Sequence, residues 1–105
     1  MTFTDYQRAA LRTSRAEPAR ERILVQTLGL AGEAGELANK VKKWAWHGKA
    51  LTAADVSDEL GDVLWYLSDI ASAFGLNLCD VATGNIRKLE ARYPDGFTAD
   101  GGRRS

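Results

Sequence analysis

The sequence predicts an all-α chain on three observations. Apolar residues recur at the i, i+3, i+4 spacing of a helix in successive segments, residues suited to cap a helix stand at the heads of those segments, and no convincing strand appears. A first short helix is expected from Thr4 to about Thr13, with Thr4 as its N-cap. Ser14 to Glu17 reads as a turn, and Pro18 suits the first position of a second helix, because its missing N–H would have no partner there anyway.

That second helix runs to about Trp46 and carries Ile23, Thr27, Leu30, Ala34, Leu37, Ala38, Val41 and Ala45 on one stripe, with His47 and Gly48 ending it. Thr52 caps a third helix whose stripe is Val56, Leu60, Val63, Leu64, Leu67, Ile70, Ala71 and Phe74, and Gly75 is a natural residue just past its end. Asn77 caps a fourth helix through Leu78, Ala82, Ile86, Leu89 and Tyr93, which Pro94 stops. The expected organisation is one domain over residues 1–97 and a polar, Gly-rich tail over 98–105.

Composition narrows the function. Fourteen acidic residues balance fourteen basic ones, so no net field draws in a nucleic acid polymer. No apolar run approaches the ~20 residues that cross a bilayer. The N-terminus has no apolar signal-peptide core, and the single Cys79 excludes an intramolecular disulfide and a cysteine-based zinc site. A soluble cytoplasmic protein is the expectation. A chain this short buries only about two-thirds of its unfolded surface, which favours self-association.

Four carboxylates form two matched pairs, Glu33 with Glu36 and Glu59 with Asp62, each spaced i, i+3 within an apolar helical run. At about 100° per residue, each pair lies to one side of its helix's stripe in the same rotational sense. The short connection from His47 to Leu51 makes the two helices antiparallel neighbours, and equal offsets on antiparallel helices fall on the same edge. The pairs are also symmetric about the turn, so Glu33 is expected near Asp62 and Glu36 near Glu59. Acids so gathered repel at neutral pH, and a cation relieves the repulsion. An all-oxygen ligand set favours Mg²⁺, with Mn²⁺ as a substitute, and Mg²⁺ keeps positions open for phosphate oxygens. Gly29, Gly32, Gly35 and Gly61 each cost about 1 kcal/mol against Ala inside a helix, which points to close backbone approach or ligand access.

The pattern Glu33-Ala-Gly-Glu36, an insert, then Glu59-Leu-Gly-Asp62, together with LGLAGEAGELANKVKKW and DELGDVLWYLSDIA, resembles the MazG family of all-α nucleoside triphosphate pyrophosphohydrolases. The resemblance runs from about Tyr6 to Phe97. It implies a four-helix-bundle-type protomer assembling as a homodimer or a dimer of dimers. It also implies Mg²⁺ held by Glu33, Glu36, Glu59 and Asp62, and cleavage of a (deoxy)nucleoside triphosphate to the monophosphate and pyrophosphate. One carboxylate, Glu36 or Glu33, is expected to orient or deprotonate the attacking water. Asn85, Lys88 and Arg92 share a face of the fourth helix and resemble the family's phosphate contacts, with Lys40 and Lys43 on the second helix as further substrate-binding candidates. Gln7 weakly resembles a position near the nucleotide.

Trp44, Trp46 and Trp65 each suit a base platform or a subunit contact, and Trp65 lies where a monomer would expose it. Two readings compete with the first: a phosphoribosyl-ATP pyrophosphohydrolase-like enzyme sharing the metal ligands, and a non-catalytic helical module binding metal or nucleotide. A di-iron bundle wants Glu-x-x-His, which the lone His47 does not supply.

Overall fold

A computed structural model describes residues 1–15 and 18–96. Four helices follow in order, α1 (Phe3–Leu11), α2 (Ala19–His47), α3 (Ala53–Ala73) and α4 (Leu78–Arg92), with no strand among the described residues. The turn expected at Ser14 to Glu17 is described only in part. Phe97 and the expected tail, 98–105, lie outside the described residues.

Local chemistry sets the boundaries. Thr2, not Thr4, caps α1: its hydroxyl accepts from the Asp5 N–H at 3.0 Å, and the Asp5 carboxylate accepts from the Thr2 N–H. This reciprocal pair satisfies two of the helix's unpartnered donors at once, which a Thr4 start would not. Thr52 and Asp55 repeat the arrangement at α3. Pro18 sits one residue earlier than expected, as the cap of α2. Gly48, at φ 63°, ends α2 in the left-handed region that a side chain would resist. Asn77 caps α4 by accepting from the backbone of Cys79 and Asp80.

α2 and α3 form the antiparallel hairpin that the short loop demands. α1 lies on α3 and α4, and α4 touches α3, whereas α2 contacts no other helix than α3. Gln7 fixes the corner where α1 meets the α3–α4 turn. Its amide donates to Ser72 Oγ at 3.0 Å and to the Leu76 carbonyl at 2.8 Å, and its oxygen accepts from the Leu78 N–H at 2.7 Å. Those three bonds give Gln7 a structural role at this corner.

The expected apolar stripes do not form a closed core. The described buried residues are Ala10, Ala71 and Leu78 together with three polar ones, Glu59, Ser68 and Asp69. No residue of α2 is fully buried, and Leu60, Leu67 and Phe74 of the α3 stripe are exposed. The reason is rotational. The hairpin closes on the face that carries Glu59, Tyr66 and Asp69, and Leu60, Leu67 and Phe74 of the apolar stripe beside it are left facing out, whereas Ala71 of the same stripe is buried. Leu28 is 72% exposed and Trp46 77%. The radius of gyration is 16.8 Å, against about 13 Å for a compact chain of this length.

Two features hold the hairpin. Arg22 grips Asp69 in a bidentate contact along one guanidinium edge, Nη2 donating to Oδ1 and Nε to Oδ2 at 3.1 Å, and Gln26 Nε2 adds a bond to the same Oδ2 at 2.7 Å. Gly29 lets the Tyr66 ring lie against the α2 backbone, since a Cβ there would stand 2.3 Å from Tyr66 Cε1. Gly29→Ala is therefore expected to lower stability by about 1–3 kcal/mol through overpacking. Gly35→Ala, with no atom within 4 Å of the added carbon, is expected to gain up to ~1 kcal/mol. Urea midpoints of the two variants check the contrast, and equal destabilisation would contradict it.

Candidate active site

Glu33 on α2 and Glu59 and Asp62 on α3 meet across the hairpin: one carboxylate oxygen from each lies within 4.8 Å of the others. Hairpin antiparallelism and the shared edge bring Glu33 to Asp62, as the paired spacing predicts, but Glu59 joins Glu33 and not Glu36, which was expected beside it. Glu59 is the deepest, 5% exposed, Glu33 is half-buried and Asp62 is exposed. Glu36 is exposed, outside this three-oxygen group, and its charge still reaches Glu33.

The polar accounting of the cluster is incomplete in the protein alone. Lys40 Nζ donates to Glu59 Oε1 at 2.7 Å, but Glu59 Oε2 and Glu33 Oε2 are both buried without a donor. Orphaned buried acceptors of this kind are costly and call for a cation or a proton. Three hard oxygens with open positions suit Mg²⁺ or Mn²⁺, so the residues present fit the metal that the sequence suggests.

The same crowding sets the titration. Hydrogen bonding to Glu59, then burial and the charges of Glu36 and Asp62, push the Glu33 carboxyl up to about 7. Glu59 shifts the other way, held below its ordinary value first by Lys40 and then by the bond with Glu33. The folded state thus binds the Glu33 proton more tightly than the unfolded chain does. Metal-free protein loses that stabilisation as pH rises from about 4.5 through about 7. A cation must expel the same proton, so affinity for Mn²⁺ is expected to rise about tenfold between pH 6 and 8, with proton release near neutrality. Calorimetry in buffers of different ionisation enthalpy reads both quantities, and a flat profile would remove the shared proton.

The other expected contacts are placed as follows. Lys40 and Lys43 line a cavity of about 260 Å³ at the hairpin turn, together with Lys49, Ala50, Leu51 and Asp55. Asn85, Lys88 and Arg92 are exposed on α4, which does not touch α2, and the Arg92 guanidinium lies 5.7 Å over the Tyr93 ring.

Trp65 is less open than expected. Its indole N–H donates to Thr13 Oγ1 at 2.8 Å, and the ring stands edge-on to Tyr66, 5.1 Å between centroids, because the end of α1 covers that side of α3. Trp65 and Tyr66 wall a cavity of about 300 Å³ with Thr13, Arg22, Val25 and Gln26. This cavity escaped the sequence reading. Its one legible trace was the glycine at position 29, one turn before Glu33, opposite an aromatic one turn beyond Asp62.

A family model described as the MazG nucleotide pyrophosphohydrolase domain matches residues 23–97, a span that holds all four paired acids, the hairpin but for the first four residues of α2, and α4. The Gene 37 protein of Mycobacterium phage L5 is 39% identical over 80 residues, covering 72% of this chain and 70% of its own length. No solved structure matches the chain. Two pairs of acids on antiparallel helices, three of the four carboxylates converging, are what that match encloses, and the chain belongs to the MazG nucleotide pyrophosphohydrolase domain family.

Proposed function

We propose that this protein hydrolyses (deoxy)nucleoside triphosphates to the monophosphate and pyrophosphate in a Mg²⁺-dependent reaction, with Mn²⁺ as a substitute. The observation that carries the reading is the convergence of Glu33, Glu59 and Asp62 with two buried carboxylate oxygens left without donors. Glu33, Glu36, Glu59 and Asp62 are the metal-holding set, with Glu36 at its rim. When bound, the cation neutralises phosphate charge and polarises the α-phosphate toward attack. Glu36 or Glu33 orients the water and takes its proton as oxygen bonds to the α-phosphorus. The bond from that phosphorus to the bridging oxygen breaks, and pyrophosphate leaves.

A triphosphate needs more positive charge than the acid cluster provides. Lys40 and Lys43 stand on the same hairpin, toward its turn. Asn85, Lys88 and Arg92 reach the phosphates from a second copy, because α4 lies away from α2 within the protomer. A homodimer, or a dimer of dimers, also covers the apolar residues that one chain leaves open, among them Leu24, Val25, Leu28, Leu60 and Leu67. The cavity walled by Trp65, Tyr66 and Gln26 lies about one α3 turn beyond Asp62 and suits a nucleobase.

Purified protein incubated with Mg²⁺ and a panel of dNTPs, NTPs and phosphoribosyl-ATP tests the reading by pyrophosphate release. Release from dNTPs or NTPs supports it. Release from phosphoribosyl-ATP alone favours the related pyrophosphohydrolase, and no release from any favours a binding module. Light scattering of the same sample is expected to give at least twice the mass of one chain, and a monomer would remove the assembly.

A further inference from the structure

The Lys40 ammonium stands where a cation is wanted. It holds one oxygen of Glu59, a residue only 5% exposed whose other oxygen is buried without a donor, as is Glu33 Oε2 beside it. Lys40 therefore answers half of a demand that the acid cluster makes. Glu59 and Lys40 differ sharply in freedom: the carboxylate is enclosed, whereas the Lys40 side chain is 42% exposed on a flexible stem. On its other side Lys40 borders the cavity of about 260 Å³ at the hairpin turn, where Lys43 and Lys49 also stand. The Asp55 carboxylate in that cavity wall is held by the Thr52 N–H in the α3 cap, so cations outnumber the acid there. The ammonium thus sits on the boundary between an acidic cluster short of positive charge and a lysine-rich basin short of negative charge.

We propose that Lys40 is an exchangeable counter-ion. It neutralises Glu59 in the metal-free protein, a divalent cation displaces it, and the freed ammonium joins Lys43 and Lys49 to hold the pyrophosphate end of the triphosphate in the basin at the hairpin turn. This rests on reading the acid cluster as a metal site and adds a coupling to it. Metal loading releases a phosphate-binding cation, and by reciprocity phosphate in the basin draws Lys40 off Glu59 and favours the metal. No backbone movement is required, because Lys40 borders both places.

Calorimetric titration of Mn²⁺ into the nucleotide-free protein separates the possibilities. Lys40→Met, which keeps the length and apolar stem but removes the charge, is expected to bind Mn²⁺ roughly fivefold more tightly than the unaltered chain, the worth of a partly exposed ion pair. Lys40→Arg, which retains the charge, is expected to stay near the unaltered value. With Mg²⁺ saturating, Lys40→Met is expected to bind inorganic pyrophosphate several-fold more weakly. Unchanged or weaker Mn²⁺ binding by Lys40→Met, with binding by the unaltered chain intact, overturns the exchange and leaves the metal site standing. No Mn²⁺ uptake by the unaltered chain overturns both. Lys40 is part-exposed at a helix surface, and Lys40→Gln serves as a second neutral variant if Lys40→Met unfolds early.

Discussion

Glu59→Gln is expected to lose pyrophosphate release by about a thousandfold, some 4 kcal/mol of barrier, while keeping its helical fold. The substitution preserves shape, so packing at this buried position is conserved. What changes is chemistry: an amide nitrogen that donates replaces one carboxylate oxygen, and a formal charge is lost where three acidic oxygens converge within 4.8 Å. Without metal the variant should lose at most modest stability: the charge that pairs with Lys40 is gone, but the amide oxygen still accepts from Lys40 and crowding with Glu33 and Asp62 is relieved. Stability and activity therefore move apart, which a merely structural role for Glu59 would not produce. Asp62→Asn and Glu36→Gln are expected to abolish turnover as well. Near-normal hydrolysis by Glu59→Gln and Asp62→Asn together would eliminate the mechanism.

Asp69→Ala should have the largest effect on stability, about 3 kcal/mol, as expected when one partner of a buried ion pair is removed. Asp69 is 3% exposed and accepts from both Arg22 and Gln26, so its loss strands a largely buried guanidinium and an amide together. Set against the 5–15 kcal/mol that typically holds a domain, that is a substantial fraction. Burial alone would raise the Asp69 pKa, but the bonds from Arg22 and Gln26 outweigh it and hold the carboxyl below its ordinary value of 3.8. Its contribution is accordingly present above that value and lost as pH falls through the depressed one. Urea midpoints at fixed protein concentration measure the change, since association would otherwise shift them. A double replacement, Arg22→Met with Asp69→Leu, should recover much of the loss, because no charge is then left unpaired. A midpoint for Asp69→Ala within error of the unaltered chain would show that α2 and α3 do not depend on this clamp.

The helices and their ends were largely readable in residue order because caps are local. Thr52, Asn77, Gly48 and Gly75 each act within a few residues of their own position. Where the reading slipped, at Thr2 and Pro18, two neighbouring residues competed for one local role. The meeting of Glu33 with Glu59 and Asp62 was also legible, since helical pitch and a short antiparallel turn determine which edge and level two residues share. Glu36 was less so. A shift of one turn along a helix separates a residue inside a cluster from one at its rim, and that depends on how far the helices slide.

Sequence alone determined the helical class, the hairpin and the acidic edge, because each follows from periodicities of a few residues. Tertiary structure decided which face of each helix the hairpin buries. It chose the one bearing Glu59, Tyr66 and Asp69, and left Leu60 and Leu67 outside. An apolar stripe says only that a face must be covered, whereas an Arg22–Asp69 clamp and a glycine opposite a tyrosine ring need partners far apart in the chain, and such pairings exist only once the helices have met.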